Sequence, residues 1–169
     1  MRDQQTVFEE FRRLPSIAPR ELLGLWKGRG IPAEHPFDGV LENLGWFGKR
    51  FTPNMRADAL LFRSREHRLT AIDPKWIPIR LALRFHSVGR TRVARDLFSC
   101  LQRRLRARGP VASLKTAVFG GAESAAMVYD MQSIVDHFRR IDEVRVMGAM
   151  TISGDPRIYF FELERVDEP

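Results

Sequence analysis

The chain of 169 residues contains little of what several classes of protein require. Its single cysteine, Cys100, excludes an internal disulfide and a cysteine-based metal site, as is usual for a protein of a reducing compartment. Its four histidines have no paired spacing, so we expect no metal site. No apolar run is long enough to span a bilayer, and the first residues lead into Glu9 and Glu10 rather than into an apolar signal segment. We therefore expect a cytoplasmic location.

Sequence fingerprints of catalysis and cofactor binding are also missing. Gly24, Gly28 and Gly30 do not have the spacing of a phosphate loop or of a dinucleotide-binding turn, and they precede no predicted helix. Ser124 and Ser133 lie outside any nucleophile elbow. The sequence thus gives no reason to expect an enzyme or a bound cofactor.

The charge of the chain is unbalanced toward the positive side. The formal net charge is +7 and the isoelectric point is near 10.4, and much of the arginine lies between Arg84 and Arg108. A basic patch attracts nucleic acid, anionic membrane or an acidic ligand. Arginines that are scattered over a solvated surface do not indicate any binding partner. Because no nucleic-acid-binding motif accompanies the charge, we do not expect nucleic acid as a partner.

The rest of the composition, 44% apolar and 29% charged residues, is that of a globular chain, and the length fits a single domain over residues 1–169. The run GLWKG at 24–28 predicts the first strand, in which Gly24, Trp26 and Gly28 share one face. An indole between two glycines can lie flat across its own strand, which suits the closed end of a small barrel.

Alternating segments elsewhere predict further strands. Two hairpins are predicted in the second half of the chain, one over residues 113–129 and the other over residues 144–166. The total is about eight strands with helices inserted between them. We therefore expect a mainly β (α+β) fold: an antiparallel lipocalin-like β-barrel, or a strongly curved sheet, with an N-terminal helix, a short helical insert after the first strand and a basic amphipathic helix at about 91–108.

Three segments are assigned from their apolar periodicity alone. Alternation predicts a strand over 77–85, whereas the spacing of apolar residues in 130–141 predicts a short helix. Between Arg92 and Arg108 an apolar residue recurs at every fourth position. That stripe predicts a helix packed against the sheet, with a membrane-surface helix as the alternative.

Several short motifs, taken in order, resemble one family. The runs GLWKG (24–28), HPFDG (35–39) and GWFGKRF (45–51) resemble the GXWXG domain. The runs SAAMVYD (124–130), IVDHFR (134–139), MGAM (147–150) and YFF (159–161) resemble the domain of unknown function that usually follows it. The resemblance places a GXWXG-like part at about 20–75 and its companion at about 111–168, joined in one barrel. Ala33-Glu34 and Ser133 depart from the family's usual Thr-Gly pair and proline.

The opening strand and the helices after it are also similar in pattern to lipocalins, fatty-acid-binding proteins and nitrobindins. The similarity implies a protein that binds a small, mainly apolar ligand, such as a lipid or a fatty-acid-like acid, in a barrel cavity. Trp26 would close the barrel base, and a basic or histidine side chain would hold the polar end of the ligand. The expected ligand-binding residues are Trp26, His35, Asp38, Trp46, Lys49, Tyr129, Asp136, His137, Phe138 and Arg139.

Three alternatives remain open at this point. The nitrobindin pattern implies a haem or nitric-oxide-binding protein, with His137 as the axial ligand. An enzyme acting on an apolar substrate would use Asp136, Asp38 or His35 as acid or base. In addition to any of these, the basic helix in 92–108 would allow the protein to dock on an anionic membrane surface.

Overall fold

A computed structural model of the chain describes residues 2–168. The helices are α1 (Gln4–Arg13), α2 (Val40–Asn43), α3 (Ile79–Arg84) and α4 (Arg92–Leu101), and single 3₁₀ turns lie at Pro19–Leu22, Pro74–Trp76 and Val88–Arg90. The strands are β1 (Gly24–Ile31), β2 (Trp46–Thr52), β3 (Arg56–Arg63), β4 (Leu69–Ala71), β5 (Ala112–Phe119), β6 (Ala122–Tyr129), β7 (Ile134–Arg140), β8 (Arg145–Ile152) and β9 (Asp155–Val166).

Eight of the strands close into an antiparallel barrel. Their order around the barrel is β1-β2-β3-β5-β6-β7-β8-β9, and β9 pairs with β1 from Leu25↔Val166 to Ile31↔Phe160. The join between β3 and β5 is short, with Ala57 opposite Ala112. The short strand β4 pairs with β3 outside this circuit. The prediction of a lipocalin-like antiparallel barrel of about eight strands is therefore confirmed.

The N-terminal helix lies on the outside of the barrel. Val7 and Phe11 of α1 are fully buried and pack on the outward face of β8 and β9, against Met147, Ala149 and Phe160. Asp3 caps the helix by accepting a hydrogen bond from the Thr6 backbone N–H at 2.7 Å. The inward faces of the strands are thus left to enclose the interior of the barrel.

A helical segment between β4 and β5 covers one end of the barrel. We call residues 75–108 the cap; they include α3 and α4. Ile77, Ile79, Ala82 and Phe98 of the cap pack against the apolar core of the barrel interior. None of the helices within residues 2–168 is long and apolar enough to cross a membrane.

The prediction of a strand over 77–85 is wrong, because α3 occupies Ile79–Arg84. Leucine, alanine and arginine are good helix formers, and Pro78 lies just before the first turn, where its missing N–H is not needed. The apparent alternation arose because α3 has apolar residues on both of its sides. Ile79 and Ala82 face the core, whereas Leu81 is more than half exposed.

The prediction of a short helix in 130–141 is also wrong, because Ile134–Arg140 forms β7. Ile134, Asp136 and Phe138 point into the barrel and alternate with His137 and Arg139 on its outside. A carboxylate at a fully buried position broke the apolar alternation by which a strand is recognised. The basic helix predicted at about 91–108 is present but shorter, since α4 ends at Leu101.

Candidate ligand cavity

An apolar cavity of about 120 Å³ lies between the barrel interior and the helices that cover it. The barrel contributes residues of β3, β6, β7 and β8, together with Gln132 between β6 and β7. The cover consists of α2, with Phe37 before it and Leu44 after it, and of the cap with Pro74 before it. The lining consists of Phe37, Val40, Leu41, Leu44, Leu60, Phe62, Pro74, Ile77, Ile79, Ala82, Phe98, Tyr129, Gln132, Ile134 and Met150. Only Tyr129 and Gln132 in this set carry polar side-chain groups.

The two polar residues of the lining have different roles. The Gln132 side-chain amide donates hydrogen bonds to the backbone carbonyls of Pro74 and Ile77, at 2.9 and 3.0 Å. Gln132 therefore ties the covering segment to the barrel. Tyr129 instead connects the wall of the cavity, through its hydroxyl, to a group of buried charges.

The buried charges are Lys49 on β2 and Asp136 on β7. The Lys49 Nζ lies 2.8 Å from Asp136 Oδ2 and donates a second hydrogen bond to the Ala59 carbonyl at 2.9 Å. The Tyr129 hydroxyl lies 3.5 Å from Lys49 Nζ and 3.4 Å from the same Asp136 oxygen. Burial, and then the Asp136 carboxylate, raise the pKa of Tyr129 well above its usual range, so the hydroxyl remains a neutral donor.

Irregular pairing of β2 with β3 brings Lys49 into the barrel. The register shifts between Trp46 and Gly48, and again between Gly48 and Arg50. As a result Trp46 and Lys49, which are three residues apart, both point inward although a regular strand would place them on opposite faces. A Cβ atom at Gly48 would lie only 1.9 Å from the Trp26 carbonyl oxygen, so only glycine fits there. The sequence motifs did not predict this function of Gly48, although a glycine inside a strand is a signal for it.

Aromatic rings surround the Lys49 ammonium. Its Nζ lies 5.1 Å from the centre of the Phe161 ring, 5.8 Å from that of Trp46 and 5.9 Å from that of Tyr129. The Trp46 indole lies over Gly28, where an added Cβ would come within 2.3 Å of it. The glycine of the first strand therefore makes room for Trp46 of the neighbouring strand, and the expectation that Trp26 lies across its own strand is wrong.

Several polar atoms of the interior have no hydrogen-bond partner within residues 2–168. They are Asp136 Oδ1, Trp46 Nε1 and the Tyr159 hydroxyl, all of them buried. Burial, with Glu42 next in importance, raises the pKa of Tyr159, which therefore stays protonated. Buried polar groups are normally paired, so the interior retains capacity to hydrogen-bond a polar group.

His35 and Asp38 lie in the loop before α2 and do not line the cavity. The Asp38 carboxylate accepts hydrogen bonds from the backbone N–H groups of Ala33 and His35, so it shapes the loop. His35 Nδ1 accepts from the Phe37 N–H, and its ring centre is 5.5 Å from that of Tyr159. Burial, reinforced by the Arg157 guanidinium, lowers the pKa of His35 to about 4, so His35 is neutral near pH 7.

His137 and Arg139 lie outside the barrel, which overturns their assignment as ligand-binding residues. The His137 ring stacks on Phe119 with 4.0 Å between ring centres, and its Nε2 is 3.3 Å from Thr151 Oγ1. Arg139 donates to Ser16 Oγ and to the Phe119 carbonyl at 3.0 and 2.8 Å. Both side chains alternate with Asp136 along β7, and a strand directs neighbouring side chains to opposite faces.

Trp26 and Phe138 are inside the barrel but do not line the cavity. Trp26 lies beside the 3₁₀ turn Pro19–Leu22, where its Nε1 donates to the Leu22 carbonyl at 2.6 Å. The Arg165 guanidinium covers the indole at 4.4 Å from the ring centre. Phe138 packs edge-on against Phe51 at 5.7 Å. These residues fill the interior away from the cavity.

The haem alternative does not fit the described residues. Its proposed axial ligand, His137, is packed between the barrel wall and Phe119, and the cavity of about 120 Å³ is far smaller than a tetrapyrrole. Within residues 2–168, no three His, Cys, Asp or Glu side chains are grouped so that they could hold a metal ion.

Comparison with known proteins agrees with this architecture. A family model described as GXWXG protein matches residues 9–66, and one described as a domain of unknown function, DUF4334, matches residues 110–165. The whole cap, residues 75–108, lies outside both matches. No curated protein matches the chain.

A crystal structure of a protein from Thermomonospora curvata is similar to the whole chain. The two share 28% sequence identity with a TM-score of 0.71, over 98% of this chain and 88% of that chain. The family matches follow the two sets of motifs, one before the cap and the other after it. The chain therefore carries a GXWXG domain followed by a DUF4334 domain, and strands of both close the barrel.

Proposed function

We propose that the protein binds a small, mainly apolar molecule in the cavity beneath the cap, with the polar end of the molecule at Tyr129. The observation that carries this proposal is the apolar cavity with Tyr129 in its wall. The Tyr129 hydroxyl lies 3.5 Å from Lys49 Nζ and 3.4 Å from Asp136 Oδ2, the two members of the buried ion pair. Apolar walls with few, well-placed polar groups are typical of small-molecule sites.

The size of the cavity limits the ligand. A volume of about 120 Å³ is similar to the roughly 150 Å³ of apolar cavities that hold benzene, and below the roughly 300 Å³ at which pockets for drug-sized molecules begin. A single ring or a short alkyl chain fits this space. A long-chain fatty acid, the ligand class suggested by the barrel resemblance, would fit only if the cap moved outward.

The charges favour a neutral polar end over a carboxylate. Lys49 is already paired with Asp136, so the pair has no net charge and its ammonium is occupied by two acceptors. A ligand carboxylate would place a second buried anion near Asp136, which is costly in a medium of low dielectric constant. The Tyr129 hydroxyl donates its proton to Asp136 and has acceptor capacity left, so it suits a neutral donor such as an alcohol instead.

Titration calorimetry with 1-hexanol and with hexanoate tests both parts of the proposal, because the two probes differ in charge but not in chain length. We expect binding of hexanol and much weaker binding of hexanoate. Y129F should weaken hexanol binding by about fivefold to tenfold, the worth of one neutral hydrogen bond. Y159F is the matched control, since Tyr159 is the other tyrosine of the chain and does not line the cavity.

Filling the cavity provides the second test. A82F places a ring where the ligand is expected and should abolish hexanol binding, whereas A18F, the same change at an exposed residue, should not. Absence of hexanol binding to the wild type, or undiminished binding to a folded A82F variant, would overturn the proposal. Equal binding of hexanoate and hexanol would overturn the neutral polar end.

A further inference from the structure

The positive charge of the chain is concentrated in the cap. Ten of the 28 Lys and Arg residues, but only one of the 21 Asp and Glu residues, lie in 75–108, so this segment has a formal charge of +9 and the rest of the chain −2. Within residues 2–168, eight of these ten cations make no ion pair. The exceptions are Lys75, which pairs with Asp73, and Arg103, which pairs with Glu66.

The cap also exposes large apolar side chains. Six of its residues are between 53% and 75% exposed; we call them the apolar face, and they are Trp76, Leu81, Phe85, Val88, Val93 and Leu97. Elsewhere in residues 2–168 the exposed large apolar residues are Val118, Met131 and Val144. A concentration of this kind on a soluble domain marks an interaction site.

The helices of the cap carry apolar residues on two sides, one of which packs against the barrel while the other is exposed. On α4, Phe98 packs on Phe62 of the barrel with 4.7 Å between ring centres, whereas Val93 and Leu97, four residues apart, are exposed. The prediction that the apolar stripe of this helix packs against the sheet is therefore wrong for Val93 and Leu97. On α3 the residues Leu81 and Phe85, also four apart, are exposed in the same way.

We propose that the outer side of the cap docks on an anionic lipid bilayer. The apolar face would enter the interfacial region, and the unpaired arginines around it, such as Arg80, Arg84, Arg92 and Arg95, would contact anionic headgroups. Exposed apolar and cationic residues are interspersed along the sequences of α3 and α4, which is the composition of helices that lie in a membrane interface. A nucleic acid would use the arginines but would leave the six apolar residues without a partner.

The position of this surface relates it to the cavity. Ile77, Ile79, Ala82 and Phe98 line the cavity from the inner side of the cap, while the apolar face is on the outer side. Docking would therefore place the cover of the cavity against the bilayer, from which apolar molecules partition. The docking itself does not depend on whether the cavity binds a ligand.

Vesicle binding tests the proposal. Vesicles of phosphatidylcholine with about 30% phosphatidylglycerol should bind the protein, and pure phosphatidylcholine vesicles should bind it far more weakly, because each arginine near an anionic surface contributes about a fivefold increase in partitioning. Trp76 is the exposed tryptophan, whereas Trp26 and Trp46 are buried, so its emission should shift to the blue on docking. W76F should remove this shift, and co-sedimentation measures binding independently of it.

Two pairs of matched variants separate the contributions of charge and apolar contact. V93S/L97S should reduce vesicle binding at least about tenfold, while V118S/M131S, at equally exposed residues outside the cap, should leave it unchanged. R92Q/R95Q should reduce binding by an order of magnitude or more. R13Q/R20Q removes the same charge from exposed residues outside the cap that make no ion pair within residues 2–168, and should have little effect.

Three outcomes would overturn the proposal. The first is absence of binding to the anionic vesicles at low salt. The second is an equal loss of binding in R13Q/R20Q and R92Q/R95Q, which would indicate general electrostatic attraction. The third is tight binding of duplex DNA that V93S/L97S leaves intact, together with weak vesicle binding, which would make nucleic acid the partner of the cap.

Discussion

Lys49 Nζ and Asp136 Oδ2 lie 2.8 Å apart inside the barrel, and both side chains are almost completely buried. The lysine comes from the GXWXG domain and the aspartate from the DUF4334 domain. The two halves of the chain are therefore joined at their centre by an ion pair that neither half can form alone. Isolated buried charges are very costly, so each of these residues depends on the other.

Removing one member of this pair should be severely destabilising. We expect K49M to lower the free energy of unfolding by about 3–5 kcal/mol, because it leaves the Asp136 carboxylate buried without its cation. The double variant K49M/D136L should lose much less than the sum of the two single variants, since it leaves no charge behind. Urea unfolding of the four proteins measures this coupling. K27M, at an exposed lysine of β1, is the control, and a strictly additive double variant would contradict the prediction.

Gly48 should tolerate no side chain. In G48A the new Cβ would meet the Trp26 carbonyl oxygen at 1.9 Å, so β1 and β2 would have to move apart. We expect a loss of at least about 3 kcal/mol, more than the 1–3 kcal/mol usual for overpacking, because backbone rather than side chain must yield. G109A is the control: no atom lies within 4 Å of its added Cβ, and its thermal midpoint should be unchanged or slightly raised. Equal thermal midpoints for G48A and G109A would contradict the conclusion that only glycine fits at position 48.

His35 should make the stability depend on pH. Its pKa is about 4 in the folded protein and about 6.5 in an unfolded chain, so the unfolded state binds more protons between these values. The contribution of His35 is therefore fully present above about pH 6.5 and is lost as the pH falls toward 4. Over this range we expect the free energy of unfolding to fall by about 3 kcal/mol on account of His35.

H35N isolates this effect, because asparagine keeps an acceptor for the Phe37 N–H but does not titrate. The variant should lose most of the difference in stability between pH 6.5 and pH 4.5 that the wild type shows in urea unfolding. H67N, at an exposed histidine, should retain it. A wild-type slope that persists in H35N would show that another group is responsible.

Trp26 should be more important for stability than for ligand binding. W26F removes the donor to the Leu22 carbonyl and reduces the contact with Arg165, so we expect a loss of about 2–4 kcal/mol. W76F, at an exposed tryptophan, should change stability by no more than about 0.5 kcal/mol. If hexanol binds the wild type, its affinity for folded W26F should be unchanged, because Trp26 does not line the cavity. Weaker hexanol binding would show that Trp26 influences the cavity.

The amino-acid sequence determined the barrel. Strands such as β8 and β9 alternate apolar inward-facing residues with outward-facing ones, and the sequence motifs, in their order, are sufficient to recognise the resemblance to both domains. The same motifs singled out Trp46 and Tyr129, both of which are buried in the core of the barrel. Local patterns of this kind can be recognised because they repeat within a single strand.

The tertiary structure alone decided what the site contains. The side chain of Lys49 points inward only because the register of β2 is irregular at Gly48. Its partner, Asp136, lies on β7, for which the sequence pattern predicted a helix because a charged residue occupies an interior position. In the cap, Leu81 and Val93 are apolar but exposed. Apolar alternation therefore predicted a strand in place of α3, and the apolar stripe of α4 predicted that Val93 packs against the sheet. A prediction from polarity assumes that apolar residues are buried and charged residues are exposed. Asp136, which is buried because it pairs with Lys49 from another strand, and the exposed apolar face of the cap both depart from this rule, and only the tertiary structure shows such departures.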